Sequence, residues 1–254
     1  MNKRLEMAIK AGYESGKAVL DIYNKDFKVY SKEDLSPLTE ADLKAEEIII
    51  NMIKENFPHD LILSEESVNE IDRSEGYVWI IDPIDGTKEF VKKNGEFTIN
   101  IGLIKDGIPV MGVIYAPCFD IMYYGEKGNG AYKIESGITD EITVSLRREN
   151  LIAFISRSHG SGPYMELLES PKVGKTIGMG SSLKGCKIAD GTGDIYYRFG
   201  NTMIWDTCAM ETIIREAGGL IKTFEDKDID YTRKDLFNYG FYILNSSDID
   251  LRRD

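Results

Sequence analysis

Two aspartates directly after an apolar run are the residues of this sequence best suited to chemistry. The run covers residues 77–81 and is rich in β-branched and aromatic side chains, so it predicts a buried strand. It continues into the hexapeptide Asp82-Pro83-Ile84-Asp85-Gly86-Thr87. Carboxylate oxygens suit Mg²⁺, and free backbone N–H groups at a helix start suit a phosphate. The hexapeptide therefore predicts a cation site beside a phosphate site, with a solvated surface turn as the alternative.

The backbone of the hexapeptide supports this prediction. Pro83 fixes φ and is expected to turn the chain after the strand. Gly86 has no Cβ, so the backbone can approach a ligand closely. A short helix is expected to begin at Lys88, which leaves the N–H groups of Gly86, Thr87 and Lys88 for an anion.

Two further acids have contexts that match this site. Asp42 lies in the first turn of a helix predicted over residues 39–56, where the helix dipole favours an acid in any case. Glu65 follows a short strand predicted over residues 61–63, where a solvated loop is the alternative. If that strand lies beside the one ending at Asp82, Glu65 and Asp82 emerge at the same sheet edge.

Composition limits the class of protein. The chain has 254 residues, enough for one large domain or two fused ones. Its formal net charge is -12, which argues against a nucleic-acid polymer as partner. A small phosphate can still bind if metal ions or a local basic pocket invert the field.

The cysteines and the N-terminus indicate an ordinary cytoplasmic protein. The chain has 3 cysteines without a Cys-x-x-Cys pair and 2 histidines, so a zinc site is poorly supplied and reduced thiols are expected. No apolar segment follows the first residues as in a signal peptide, and no run reaches the length of a membrane span.

The remaining pattern predicts a mixed α+β and α/β fold. Residues 25–38 are expected to form a loop. Helices are predicted over residues 3–24, 183–189 and 205–217, and strands over residues 97–104, 110–115, 121–124, 130–134, 151–155, 176–179, 194–199, 220–223 and 241–244. The polar segment 135–149 indicates a boundary. We therefore predict an N-terminal α+β domain over residues 1–145, with an antiparallel sheet, and a C-terminal α/β domain over residues 146–254.

Three blocks together resemble the metal-dependent, lithium-sensitive phosphomonoesterase superfamily that includes the inositol monophosphatases. The blocks are Ser64-Glu65-Glu66-Ser67, the hexapeptide 82–87, and Trp205-Asp206 followed by Glu216-Ala217-Gly218-Gly219. Finer features resemble the 3′(2′),5′-bisphosphate nucleotidases of bacterial sulfur assimilation: Thr87-Lys88-Glu89-Phe90, Asn94-Gly95-Glu96-Phe97-Thr98, Ser156-Arg157-Ser158-His159, Gly180-Ser181-Ser182-Leu183-Lys184 and Ile204-Trp205-Asp206-Thr207. Cys208-Ala209-Met210 departs from the Ala-Ala-Gly frequent in such relatives, and Met210 could change the helix packing near the site.

The resemblance implies a fold and a set of site residues. The fold is a layered α-β-α-β-α sandwich of the inositol monophosphatase and carbohydrate phosphatase type. The implied ligands of two or three Mg²⁺ ions are Glu65, Asp82, Asp85, Asp206 and the main-chain carbonyl of Ile84. Asp42 and Thr87 match a pair that helps to activate the attacking water, and Gly86 and Thr87 match the amides that hold the phosphate.

Three basic residues are expected to determine the substrate specificity. Lys184 lies in the first turn of its helix near Ser181, where ammonium and helix amides suit a second anion. Arg198 occupies the region where inositol-type relatives present an acid, and its guanidinium suits a phosphate. His159 follows the strand at 151–155. Solvated surface charge for Lys184 and Arg198, and a structural loop residue for His159, are the alternatives.

The resulting hypothesis is a Mg²⁺-dependent phosphatase that converts adenosine 3′,5′-bisphosphate into AMP and phosphate. A metal-activated water would attack directly, with Glu65 orienting or deprotonating it. Inositol phosphate or fructose 1,6-bisphosphate on the same site is the nearest alternative, and a non-catalytic protein that binds a divalent cation or phosphate is an alternative of another class. A small phosphorylated nucleotide is the expected partner, and the chain is expected to be a monomer or a homodimer.

Overall fold

The computed structural model of the chain describes residues 2–31, 37–157 and 164–253. The helices are α1 Lys3–Tyr23, α2 Glu40–Asn56, α3 Thr87–Val91, α4 Tyr164–Leu168, α5 Leu183–Ala189 and α6 Ile204–Glu216. The strands of the first part are β1 Val29–Ser31, β2 Pro37–Thr39, β3 Leu61–Ser64, β4 Tyr77–Asp85, β5 Thr98–Lys105, β6 Ile108–Ala116, β7 Ile121–Glu126, β8 Ala131–Glu135 and β9 Ile138–Ile142. Those of the second part are β10 Leu151–Ser156, β11 Val173–Met179, β12 Ile195–Arg198, β13 Thr202–Met203, β14 Leu220–Thr223, β15 Phe237–Asn238 and β16 Phe241–Leu244.

Two larger sheets organise the molecule. The seven-stranded sheet has the strand order β3-β4-β5-β6-β7-β8-β9, in which β3 and β4 are parallel and the other pairs are antiparallel. The five-stranded sheet has the order β11-β10-β12-β16-β14, with β10 parallel to both its neighbours and β16 antiparallel to both of its own. Two short ladders join β1 to β2 and β13 to β15.

Three apolar clusters show that helices and sheets alternate in five layers. The first lies between α1, α2 and one face of the seven-stranded sheet, and includes Ile49, Trp79 and Ile101. The second places α5 and α6 between the two sheets. The third joins the outer face of the five-stranded sheet to Leu167 of α4 and to Leu251 near the C-terminus. The predicted α-β-α-β-α sandwich is therefore confirmed.

Helix α6 approaches the seven-stranded sheet closely because three glycines face it. Gly102, Gly112 and Gly125 lie directly opposite one another on β5, β6 and β7. A Cβ on Gly112 would lie 2.7 Å from the Cα of Ala209 in α6, and one on Gly102 would lie 2.5 Å from Cys208 Sγ. This row of three glycines, the glycine row, therefore fixes how deeply α6 lies on the sheet.

Several short or polar strands differ from the prediction. Segment 25–38 contains β1 and β2 in place of a continuous loop, and the polar segment 135–149 contains β9, whose first four residues are exposed. Strand β4 does not end at Asp82 but continues to Asp85, with a shift in its pairing with β5 between these two residues. Pro83 lies in that irregularity, where the ladder needs no N–H donor, so it does not turn the chain.

The proposed boundary between residues 145 and 146 stays a prediction. The seven-stranded sheet ends at Ile142 and the five-stranded sheet begins at Leu151, but α6 from the second part packs on the first sheet. No helix within the described ranges is long and apolar enough to cross a bilayer.

Candidate active site

The parallel pairing of β3 and β4 brings Glu65 to Asp82, as the sequence predicts. Ser64 is the register partner of Ile81, and the Glu65 N–H donates to the Ile81 carbonyl oxygen at 3.1 Å. The Glu65 side chain forms a hydrogen bond with Asp82. The two acids therefore lie at one end of the same strand pair.

Asp206 reaches this edge from the second part of the chain. It lies in the first turn of α6, where its Oδ2 accepts the N–H of Met203 at 2.8 Å. Carboxylate oxygens of Asp82, Asp85 and Asp206 all lie within 4.8 Å of one another. Two neighbouring carboxylates and a third that lies more than 120 positions further along the sequence thus form one cluster, the acid cluster.

Burial and mutual repulsion shift the pKa values of the acid cluster upward. The pKa of Asp82 is raised well above its ordinary value, first by burial and then by the charges of Glu65, Asp85 and Asp206. Burial, with the charge of Asp85, raises the pKa of Asp206 to about 8. Burial also raises the pKa of Asp85, although the nearby ammonium of Lys184 opposes this. Without a cation, the cluster therefore retains protons at neutral pH.

Asp42 contacts the hexapeptide through Thr87. Its Oδ2 accepts the N–H of Thr39 at 2.8 Å and the Thr39 hydroxyl at 2.6 Å, an arrangement that caps α2. Its Oδ1 lies 3.4 Å from the Thr87 hydroxyl, which also lies 3.1 Å from the Ile84 carbonyl oxygen. Burial raises the pKa of Asp42 to about 6, even though the bonds from Thr39 lower it.

Gly86 makes the turn between β4 and α3. Its φ of +93° lies in the left-handed region that favours glycine. A Cβ here would lie 3.1 Å from the Glu96 carbonyl oxygen and 3.3 Å from the Ser181 Cβ. Helix α3 begins at Thr87, one residue before the expected start. Its first N–H groups follow directly after Asp85.

Asp85 is held by Ser182 and Asn100, two residues for which the sequence predicted no role at the site. The Ser182 N–H donates to Asp85 Oδ2 at 2.6 Å, and the Asn100 amide donates to the same oxygen at 3.4 Å. For Asn100, the sequence indicated only that it lies on the strand predicted over residues 97–104. The observed register of β4 and β5 pairs it with Asp82. Ser182 lies 97 positions from Asp85, so no local pattern reports this contact.

Three of the predicted substrate residues lie in the same cleft as the acid cluster. The acid cluster, Ser181, Lys184 and Arg198 line one cleft of about 410 Å³. The ammonium of Lys184 donates to the Ser181 and Met179 carbonyl oxygens at 2.6 and 3.3 Å, and burial lowers its pKa to about 8. Ser181 has a φ of +48°, so Lys184 stabilises an unusual backbone turn. His159 lies outside the described residues.

Arg198 retains an unpaired donor. Its Nη2 donates to the Asn201 carbonyl oxygen at 3.3 Å, and its Nη1 lies 3.5 Å from the Ser156 hydroxyl. Its buried Nε has no hydrogen-bond partner within the described ranges. An unpaired, buried guanidinium N–H favours an anionic ligand.

The bulk of Met210 is accommodated by α5. A Cβ on Gly185 would lie 2.5 Å from Met210 Cγ, so the absence of a side chain there provides the space. Met210 also lines the cleft. Met210 is therefore accommodated at Gly185, and Asp206 remains in the acid cluster.

The acid cluster fits a divalent cation. Asp82 is buried, and its Oδ1 has no hydrogen-bond partner among the residues that the structure describes. An unpaired buried carboxylate is unfavourable unless it is protonated or bound to a metal. Oxygen donors without thiolates or imidazoles suit hard cations such as Mg²⁺. The acid cluster therefore has the oxygen donors that a hard divalent cation requires.

The acid cluster lies at a sheet edge, next to the N-terminus of α3 that follows the turn at Gly86. This site and the layered fold place the chain in the class of metal-dependent phosphatases. The chain belongs to the inositol monophosphatase family, whose model matches residues 1–247 and whose members are metal-dependent phosphatases.

Individual relatives match nearly the whole chain. The chain is 41% identical to the 3′(2′),5′-bisphosphate nucleotidase CysQ of Buchnera aphidicola over 249 residues, covering 94% of this chain and 93% of the relative. It is 39% identical to the enzyme of that name from Escherichia coli K12 over 244 residues, covering 94% and 98%. The crystal structure of CysQ from Bacteroides thetaiotaomicron superposes with a TM-score of 0.82 at 36% identity, covering 96% and 98%.

Proposed function

We propose that this protein is a Mg²⁺-dependent phosphatase that hydrolyses adenosine 3′,5′-bisphosphate to AMP and phosphate. The observation that carries the proposal is the acid cluster beside the turn at Gly86. Relatives at 39 and 41% identity are 3′(2′),5′-bisphosphate nucleotidases, which supports this substrate class. The proposal includes a cytoplasmic location, which the three free thiols support, and a monomeric or homodimeric state.

The acids and one carbonyl group would hold two or three Mg²⁺ ions. The proposed ligands are Glu65, Asp82, Asp85, Asp206 and the Ile84 carbonyl oxygen. Once bound, the ions supply positive charge that polarises the phosphoryl oxygens and makes water a stronger acid. The binding of cations also removes the mutual repulsion that raises the pKa values of these carboxyls.

The remaining groups would orient the reaction. The backbone N–H groups of Gly86 and Thr87 would donate to phosphoryl oxygens, on which negative charge accumulates during transfer. Asp42 would accept a hydrogen bond from the Thr87 hydroxyl, which would leave a lone pair of Thr87 Oγ1 to accept a hydrogen bond from the attacking water. Glu65 would orient the water and take its proton. The new P–O bond would form as the bond to the 3′ oxygen breaks; that oxygen would take up a proton from solvent water to become a hydroxyl group, and Glu65 would return its proton to solvent.

The second phosphate and the base would bind on the other residues of the cleft. Arg198, with its unpaired Nε, is the proposed partner of the 5′-phosphate. Lys184 contributes positive charge and holds the carbonyl of Ser181 in place. Phe237 lines the cleft with 44% of its surface exposed and offers a flat apolar face to a base. His159 stays a proposed substrate residue.

A phosphate-release assay tests the proposed function. Adenosine 3′,5′-bisphosphate, inositol 1-phosphate and fructose 1,6-bisphosphate would be compared at equal concentration, with Mg²⁺ and with a chelator. We expect the nucleotide to be hydrolysed fastest, and no hydrolysis in the chelator. Equal or faster release from inositol 1-phosphate would favour the nearest alternative. No release from any compound with Mg²⁺ would leave a non-catalytic binding protein.

The role of Arg198 has its own test. Loss of one charged hydrogen-bonding partner is worth about 1.5–3 kcal/mol, so Arg198→Ala should lower kcat/KM for the bisphosphate about 10- to 150-fold. Hydrolysis of inositol 1-phosphate should change little. Arg148→Ala is the matched control, because that arginine pairs with the exposed Asp248 outside the cleft. If both substrates weaken equally, Arg198 does not bind the second phosphate.

A further inference from the structure

A buried chain of hydrogen bonds ends at Asp85. It begins at Thr98 on β5, passes through Ser182 before α5, and continues through Asn100 on β5. Thr98 Oγ1 lies 2.8 Å from Ser182 Oγ, and Ser182 Oγ lies 2.9 Å from Asn100 Oδ1. All three side chains are buried. The chain therefore joins the seven-stranded sheet to the second part of the molecule at the acid cluster.

The chemistry of each group fixes the direction of this chain. The Asn100 amide nitrogen faces Asp85 Oδ2, which can only accept when it is ionised. Asn100 Oδ1 must then accept, so the Ser182 hydroxyl donates to it. The Ser182 oxygen in turn accepts from the Thr98 hydroxyl. With Asp85 ionised, the hydrogen bonds then run in one direction from Thr98 through Ser182 and Asn100 to Asp85.

The orientation of Asn100 matters because its two amide ends have opposite effects on Asp85. With the nitrogen inward, it stabilises the carboxylate and holds Oδ2 against the Ser182 N–H. With the oxygen inward, it would repel the carboxylate. The Ser182 hydroxyl donates to the Asn100 oxygen at 2.9 Å and so holds the amide with its nitrogen toward Asp85, whereas an alanine at position 182 would remove this hydrogen bond.

We propose that Asn100 and Ser182 are positioning residues for Asp85, with the Ser182 hydroxyl fixing the amide of Asn100 so that Asp85 presents its other oxygen to the cation. The inference rests on the proposed metal site. It assigns a role in metal binding to two residues outside the proposed set of metal ligands.

Calorimetric titration with Mg²⁺ tests the inference directly. Partners that orient a metal ligand typically affect metal affinity about 10- to 100-fold. Ser182→Ala and Asn100→Leu should each weaken Mg²⁺ binding about tenfold. Because Ser182 acts through Asn100, Ser182→Ala should have little additional effect in the Asn100→Leu background.

Thr98→Val is the matched control. It removes an equally buried hydroxyl from the same chain, but it leaves the donor to Asn100 in place. Thermal unfolding should show a loss of stability for both Thr98→Val and Ser182→Ala, whereas only Ser182→Ala should weaken Mg²⁺ binding.

The results separate the inference from the proposed function. Unaltered Mg²⁺ affinity in Ser182→Ala, or an equal loss in Thr98→Val, would overturn the positioning role while the metal site stands. Fully additive losses in the double variant would show that Ser182 does not act through Asn100. If the unchanged protein binds no Mg²⁺, both the inference and the proposed function are wrong.

Discussion

A methyl group on Gly112 should move the helix that carries Asp206. The Cβ of Gly112→Ala would overlap the carbonyl oxygen of Ala209 most closely and would lie 2.7 Å from its Cα and carbonyl carbon, whereas an ordinary contact begins at about 3.4 Å. Helix α6 must therefore retreat by about 1 Å or more, or the sheet must yield by the same amount. Asp206 lies less than one turn from Ala209, so it moves with the helix.

The displacement is large enough to disturb the acid cluster. Productive metal and catalytic geometry tolerates about 0.5 Å, and a 1 Å misplacement can lower a rate about 10²-fold. We therefore expect Gly112→Ala to lower kcat at saturating Mg²⁺ by about 10- to 100-fold and to weaken Mg²⁺ binding. Overpacking should lower the free energy of unfolding by about 1–3 kcal/mol. Alanine also lowers the entropy of the unfolded chain, which restores about 0.5–1 kcal/mol of that free energy.

Three measurements check this expectation: phosphate release, calorimetric Mg²⁺ titration and urea unfolding. Gly178→Ala is the matched control, since Gly178 also lies in a strand and a Cβ there would meet no atom within 4 Å. That variant should match the unchanged protein. If Gly112→Ala retains full Mg²⁺ affinity and kcat within twofold, the glycine row does not set the position of Asp206.

Three further outcomes follow from the site and its surroundings. Asp85→Asn should retain the fold but lower phosphate release at least about 10³-fold; near-normal release at saturating Mg²⁺ would contradict its role. In a chelator, stability should fall as the pH rises from about 4 to about 8, because the folded protein keeps protons on Asp82 and Asp206 that the unfolded chain has lost. The slope is about 1.4 kcal/mol per pH unit for each such proton, and Mg²⁺ should reduce it; urea unfolding at several pH values would detect the opposite slope. Tyr231→Phe should cost about 1–3 kcal/mol, because the buried Tyr231 hydroxyl donates to Glu211 at 2.8 Å; a change below about 0.5 kcal/mol in urea unfolding would contradict this.

The elements that carry the acid cluster were predictable because their signals are local. An apolar run that ends in acids predicts a buried strand with carboxylates at its end, and β4 has this form. The neighbourhood of Glu65 and Asp82 followed from two short strands close together in sequence, and their pairing is observed. The roles assigned to these residues stay predictions until metal binding and turnover are measured.

Contacts between distant residues could not be predicted. The bond from Ser182 to Asp85 joins positions 97 residues apart, and no local pattern around either residue reports that they meet. The strands β13 and β15 have two residues each, too few for any periodicity. At Pro83, the predicted turn is wrong, because tertiary pairing between Asp85 and Thr98 keeps the strand going beyond it.

The glycine row has a consequence for the synthesis of this chain on the ribosome. The seven-stranded sheet is complete at Ile142, but α6 begins about sixty residues later, which takes roughly 3–12 s at usual elongation rates. During that interval, the apolar residues of the sheet that α6 will cover have no helix against them. A nascent chain at this stage offers a surface to chaperones or to other unfinished chains, and it lacks Asp206 and Ser182, so hydrolysis must wait until nearly the entire polypeptide has emerged.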